Sequence, residues 1–203
     1  MTHRHLLLYA SRDGQTEKII RVIASELEQR GQMVECLSLG RDAARFNLNQ
    51  CDSVLVGSPI RYGRHLPEVR DFVRQHETFL NQHPSGFFSV NLTARKSGKN
   101  RPETNPYLQA FLGKITWKPG MTGVMAGSLL YSRYRWFDRL IIQLIMKLTG
   151  GNTDTSKDIE YTDWDAVQQF AHRYSDYLKR CAISSDDSVC DSESDDTSRL
   201  RTH

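Results

Sequence analysis

Residues 5–10 form a short unbroken apolar run that stops at Ser11-Arg12-Asp13-Gly14, the pattern of a buried parallel strand ending in a polar turn. The period then changes. Between residues 16 and 30 the apolar positions Ile19, Ile20, Ile23, Ala24 and Leu27 fall three and four apart, which predicts an amphipathic helix closed by Gly31. Residues 33–39 and 53–57 are predicted as the second and third strands. After a loop over residues 58–66, Pro67 suits a first helical turn, and Val69, Phe72, Val73, Phe79 and Leu80 mark one buried face before Pro84 ends the unit. Residues 86–90 and 121–127 are predicted as the fourth and fifth strands. A last helix is predicted with Thr162 as its cap and Trp164, Val167, Phe170, Ala171, Tyr174 and Leu178 as its apolar stripe.

Strand and helix alternate, which predicts an α/β domain: a doubly wound, five-stranded parallel sheet with helices on both faces. Two long insertions, residues 91–120 and 128–161, break the alternation around the fourth and fifth strands. One domain over residues 1–180 accounts for the rest, since a chain of this length supports a full core. Residues 181–203 are rich in Ser and Asp and nearly devoid of apolar side chains, so they are expected to be an acidic, disordered tail.

Charge sharpens this division. The whole chain carries +3, but the tail holds six acids against two arginines, which leaves +7 on residues 1–180. A body that basic attracts anionic partners. Cys36, Cys51, Cys181 and Cys190 form no CxxC pair, and the seven histidines are scattered, so neither a metal site nor a disulfide framework is expected. The apolar run near the start is too short for a secretory signal, so the chain is expected to stay inside the cell.

A strand, then Ser11, Arg12, Asp13, Gly14, Gln15 and Thr16, then a helix places hydroxyls and backbone N–H groups at the positive end of a helix, which suits a phosphate. No Gly-Lys-Ser/Thr follows, and GxGxxG is absent, so the expected ligand is a mononucleotide held without a metal. Flavodoxins carry a Ser/Thr-x-x-Gly-x-Thr turn directly after their first strand, and Ser11, Gly14 and Thr16 resemble it. That resemblance implies a flavodoxin-like fold and FMN as cofactor. In a doubly wound sheet the loops after the third and fourth strands flank the ligand. They are Ser58, Pro59, Ile60, Arg61, Tyr62 and Gly63, with Tyr62 able to stack on a flavin ring, and Ser89, Val90, Asn91 and Leu92, with Ser89 and Asn91 offered to the ring's polar edge.

The first insertion gathers Arg95, Lys96, Lys99 and Arg101 in one polar loop, which is either a carboxylate attractor or a solvated surface. In the second, Arg135, Arg139, Gln143 and Lys147 form one row of a predicted helix over residues 134–149, opposite Phe137, Leu140, Ile141, Leu144, Ile145 and Leu148. Two placements stand for this helix: in a membrane interface with Trp136 and Phe137 at headgroup level beside Arg135, Arg139 and Lys147, or packed on the sheet. It is too interrupted by polar residues to span a bilayer.

From residue 6 to 178 the chain resembles the menaquinone-dependent protoporphyrinogen IX dehydrogenase family, a long-chain flavodoxin-like group. The specific stretches are residues 11–16, 58–63, 88–96, 134–139, 146–151 with Thr153, Asp154 and Thr155, and 161–164. Pro59 and Arg64 stand where the family is expected to vary, and the tail lies outside the resemblance. The resemblance implies FMN-dependent oxidation of protoporphyrinogen IX in haem synthesis, with six electrons passing to menaquinone or ubiquinone. It adds Thr153 and Asp154 to the cofactor contacts. Arg95, Lys96, Arg133 and Arg135 are the candidate substrate contacts. The expected location is cytoplasmic, peripheral on the inner face of a bacterial inner membrane. No catalytic side chain beyond the flavin, no metal and no nucleic-acid partner are expected, and oligomeric state is left open. A flavodoxin-type electron carrier, another FMN-dependent quinone reductase and a flavin-free interaction module remain the rivals.

Overall fold

The computed structural model describes residues 4–42, 47–129 and 158–193. In chain order the elements are β1 (Arg4–Tyr9), α1 (Gln15–Gln29), β2 (Met33–Ser38), β3 (Ser53–Arg61), β4 (Arg64–His65), α2 (Pro67–Gln75), α3 (Glu77–Gln82), β5 (Ser85–Val90), α4 (Pro106–Leu112), β6 (Met121–Met125), β7 (Ser128–Leu129), β8 (Ile159–Glu160) and α5 (Trp164–Glu193). Five parallel strands lie in the order β2-β1-β3-β5-β6. The order reverses at β1 and β3, and at such a switch point the loops leaving the strands diverge and open a crevice. The short β4 folds back antiparallel on the end of β3, and β7 pairs with β8 apart from the main sheet.

The pleat divides the core. Leu6, Leu8, Val54, Val56 and Phe87 face one side and pack against α2, α3 and α4, while Leu7, Tyr9, Leu55, Phe88 and Val90 face the other and pack against α1 and α5. Each fully buried Leu or Ile contributes about 1.5–3 kcal/mol. Gly57 is glycine because a Cβ there would collide with the ring of Phe88. Helices α1 and α5 are also tied by Gln168 and His172 to Glu26, each at 3.1 Å.

Several expectations need correction. β3 runs on to Arg61, and residues 58–66 form a hairpin with β4 instead of an open loop, because the Ile60–His65 and Arg61–Arg64 pairs close it. The insertion at 91–120 contains α4, started by Asn105 and Pro106, and it buries Leu108, Phe111 and Trp117. Asp163, not Thr162, caps α5, accepting from the Ala166 N–H at 3.0 Å; the Thr162 hydroxyl turns to the Ala126 carbonyl instead. Helix α5 runs on to Glu193, in a stretch with no glycine or proline. The predicted 134–149 helix lies outside the described residues, as do Arg133, Arg135, Trp136, Phe137, Arg139, Lys147, Thr153 and Asp154.

Candidate functional site

Parallel register brings three loops together at the carboxyl ends of β1, β3 and β5, since Tyr9 lies opposite Gly57 and Ser58 opposite Ser89. In the first, the Gly14 N–H donates to Ser11 Oγ at 3.0 Å, and Gly14 sits at φ 91°, a left-handed conformation that glycine takes without strain. The first intrahelical bond of α1 runs from the Lys18 N–H to the Gly14 carbonyl. The N–H groups of Gln15, Thr16 and Glu17 therefore precede the helix's own ladder, at its positive end. This is a cradle for one phosphate.

The side chains around the cradle are largely committed to one another. Arg12 pairs with Glu68 at 2.6 Å, and Asp13 with Arg61 at 3.1 Å. Gln15 Nε2 donates to Thr162 Oγ1 at 2.8 Å, and that hydroxyl donates in turn to the Ala126 carbonyl at 2.7 Å. The side chains of Arg12, Asp13 and Gln15, expected as cofactor contacts, are thus committed within the protein, and Thr16 is buried at 1% exposure, which leaves Ser11 and the N–H groups as the polar surface. Glu17 in the first helical turn sets an acid near the phosphate position. Its bonds to Arg21 at 2.8 Å and Arg41 at 2.9 Å offset that charge, and Arg21 above all holds its carboxyl below the usual range. Arg41 also donates to the Tyr9 hydroxyl at 2.8 Å, a phenol pushed up by burial.

The second loop is the hairpin tip. Tyr62 at φ 50° and Gly63 at φ 75° are the two central residues of a two-residue turn, both left-handed. A tyrosine there is unusual and holds its backbone against a steric cost. The residue is 74% exposed, with the Arg61 guanidinium 5.5 Å from the ring centroid. Arg61 therefore ties the aromatic loop to Asp13 of the phosphate loop. Ser58 is fully buried, its hydroxyl on the Pro59 carbonyl, while Pro59 and Ile60 are half-buried.

The third loop departs from expectation. Ser89 and Asn91 are buried, and Asn91 Nδ2 donates to Ser89 Oγ at 3.1 Å and to Asn105 Oδ1 at 3.4 Å, while its Oδ1 accepts from the Ala94 N–H and from Asn105 Nδ2. These side chains fasten the insertion and leave only backbone from Val90 to Leu92 for a ligand. Arg95 donates to the Leu92 carbonyl at 2.9 Å and lies 5.8 Å over the ring of Tyr161, so it is partly structural; Lys96 is exposed. Asn105, Tyr161 and Thr162 were not read as site residues. Asn105 before Pro106 is a helix-start signal that local inspection can find.

Among the described residues no group of His, Cys, Asp and Glu has the arrangement of a metal site. Burial pushes the Cys36 and Cys51 thiols up to about 11, so neither is a thiolate at neutral pH. What the arrangement provides is a phosphate cradle, a neighbouring exposed aromatic ring and a basic loop.

A flavodoxin-domain family model matches residues 6–156. A protein of Escherichia coli K12 named protoporphyrinogen IX dehydrogenase [quinone] is 45% identical over 166 residues, covering 82% of this chain and 91% of that protein. The chain belongs to that family. A Leishmania major member of the same name is 46% identical over 167 residues, covering 82% of this chain and 72% of the relative. Two solved structures share the fold at low identity: an oxidised flavodoxin from Bacillus cereus (12% identity, 87% of this chain and 97% of the other, TM-score 0.50) and a rubredoxin:oxygen oxidoreductase from Desulfovibrio gigas (18% identity, 88% and 37%, TM-score 0.52). Membership fixes the cofactor as a flavin, and the cradle with the adjacent Tyr62 ring fits one: an end that takes phosphate and a face that takes an aromatic system.

Proposed function

We propose that the protein is an FMN-dependent protoporphyrinogen IX dehydrogenase that delivers its electrons to a quinone. The family membership supports the reaction. The observation that carries the cofactor is the phosphate cradle formed by Ser11, Gly14 and the first N–H groups of α1, tied through Asp13 and Arg61 to the turn that bears Tyr62. One phosphate site without GxGxxG suits a mononucleotide. Bound FMN supplies the two-electron redox chemistry, and the protein supplies binding, orientation and electrostatics.

The chain's own residues divide these tasks. The Gln15, Thr16 and Glu17 N–H groups would hold the phosphate, with the Tyr62 ring and the backbone of Val90, Asn91 and Leu92 available to the flavin's ring system. The paired Arg12–Glu68 and Arg61–Asp13 bridges keep the loops in register. The macrocycle gives up six electrons and six protons, which three quinones take up as three quinols. The basic body favours a peripheral position on an anionic membrane, where the quinone resides, and we place the protein on the cytoplasmic face.

Purified protein should be yellow and release FMN on denaturation. Under anaerobic conditions with a menaquinone analogue, it should convert protoporphyrinogen IX to fluorescent protoporphyrin IX. A colourless protein that cannot be reconstituted with FMN would refute the cofactor reading. A flavin-loaded protein with no turnover above autoxidation would refute the porphyrinogen reading and leave an electron carrier or a different quinone reductase. Against the carrier stands the +7 body, because carriers of this fold that dock on basic partners need acidic surfaces. Absence of flotation on anionic liposomes would refute the peripheral placement.

A further inference from the structure

The cations around the crevice fall into two groups. Arg12 and Arg61, beside the phosphate cradle, are each paired with a carboxylate. Lys96, Lys99 and Arg101, in the loop that follows β5, are exposed, and none has an ion-pair partner among the described residues. The segment from 91 to 105 carries four cations and one acid, Glu103. An exposed basic loop is by default a solvated surface, but this one is built.

Its backbone is a chain of closed turns. The Lys96 N–H donates to the Thr93 carbonyl at 3.1 Å, the Lys99 N–H to the Lys96 carbonyl at 3.0 Å, and the Thr104 N–H to the Arg101 carbonyl at 3.2 Å. Asn105, fully buried, locks it from beneath. Asn105 Nδ2 donates to the Lys99 carbonyl at 2.9 Å and to Asn91 Oδ1 at 3.2 Å, while Oδ1 accepts the Tyr107 and Leu108 N–H groups that start α4. The basic loop is thereby fixed to the end of β5 and to a helix.

It is also fixed beside the crevice. Val90, where the loop begins, lies opposite Pro59 of the aromatic loop. On the other side Arg95 covers Tyr161, whose neighbour Thr162 receives Gln15 of the phosphate loop. Three cations without an ion-pair partner among the described residues, carried on a backbone held by hydrogen bonds, suit a ligand bearing more than one carboxylate, because charge-assisted bonds to donors on a fixed loop lose less in ordering.

We propose that Lys96, Lys99 and Arg101 form the recognition site for the two propionate carboxylates of the porphyrinogen, an assignment that rests on the substrate reading above. A quinone carries no carboxylate. The two substrates are therefore distinguished by this loop.

The test is the flavin-loaded triple variant K96Q/K99Q/R101Q, which changes only exposed side chains. The KM for protoporphyrinogen IX should rise about tenfold or more, the loss of one or more charge-assisted bonds. Flavin content and the KM for the quinone should stay at wild-type values. The dissociation constant for protoporphyrin IX, read by fluorescence titration without turnover, should rise in parallel, and the porphyrin dimethyl ester should bind both proteins alike. Wild-type turnover with an unchanged porphyrinogen KM in the variant overturns the assignment. So does a rise in both KM values together, or loss of flotation on phosphatidylglycerol vesicles at constant porphyrinogen KM, which would make the loop a lipid contact. No porphyrinogen turnover by the wild type instead overturns the substrate reading, and the assignment with it.

Discussion

His65 offers the sharpest quantitative test, because its burial sets both a size and a sign. It lies in β4, 4% exposed, edge-on to Phe87 and Phe111 with ring centroids at 5.1 and 4.8 Å. Burial pushes its pKa from 6.5 down to about 4, against the opposing pull of the Ser58 and Pro59 backbone. The folded protein thus holds a neutral imidazole, while the unfolded chain binds a proton below pH 6.5. Stability contributed by this difference is complete above 6.5 and is lost as pH falls through the window from 6.5 to about 4. The drop corresponds to about 3 kcal/mol. Urea unfolding of wild type and His65→Leu at pH 7, 6, 5 and 4 isolates it, since both proteins share every other titrating group. The wild-type advantage should shrink by about 3 kcal/mol across that range. Because Ile60 pairs with His65, acid should also release flavin from the wild type more readily than from the variant. A difference in stability that does not change with pH would refute the argument.

Tyr62→Asn puts a residue that tolerates the left-handed turn at the hairpin tip, so unfolding of the flavin-free protein should become up to about 1 kcal/mol harder, while flavin titration shows affinity several-fold weaker. Asn105→Ala removes a helix cap and takes away the buried bonds to Asn91 and the Lys99 carbonyl, and should cost about 2–4 kcal/mol in denaturant unfolding. Raising salt from about 0.01 M to 1 M shortens screening from about 30 Å to 3 Å. The porphyrinogen KM should rise several-fold over that range while flavin affinity changes less than twofold.

The core and the phosphate loop were legible because each carries a local period. Leu6 to Tyr9 alternate between the two faces of the sheet, Ile19 to Leu27 recur at helical spacing, and the Ser11 to Thr16 turn falls where the period switches. The missed elements carry weaker or contrary signals. Helix α4 hides in a segment whose composition is polar, although Leu108 and Phe111 are three apart behind the Asn105-Pro106 start. The β3–β4 hairpin hides because its turn is Tyr62-Gly63, with a tyrosine where Asn or Asp is the residue that announces such a turn.

Side-chain pairing was the least legible feature, and it changes the chemistry most. Arg12 and Glu68 are 56 positions apart, and Arg61 and Asp13 are 48, so no local window shows that these cations are already neutralised. Counted along the chain, Arg12, Arg61, Lys96, Lys99 and Arg101 look like one basic surface. In space they separate. At the cradle, partly exposed bridges worth about 1 kcal/mol or less each fix loop geometry while keeping net charge low. The phosphate then depends on N–H groups and the helix end, whose strength survives salt because it is short-ranged and partly buried. On the 96–101 loop the cations have no ion-pair partner among the described residues, and a dicarboxylate gains most from groups that give up no existing partner. The same residue type therefore serves two roles, set by whether an acid from a distant part of the chain reaches it.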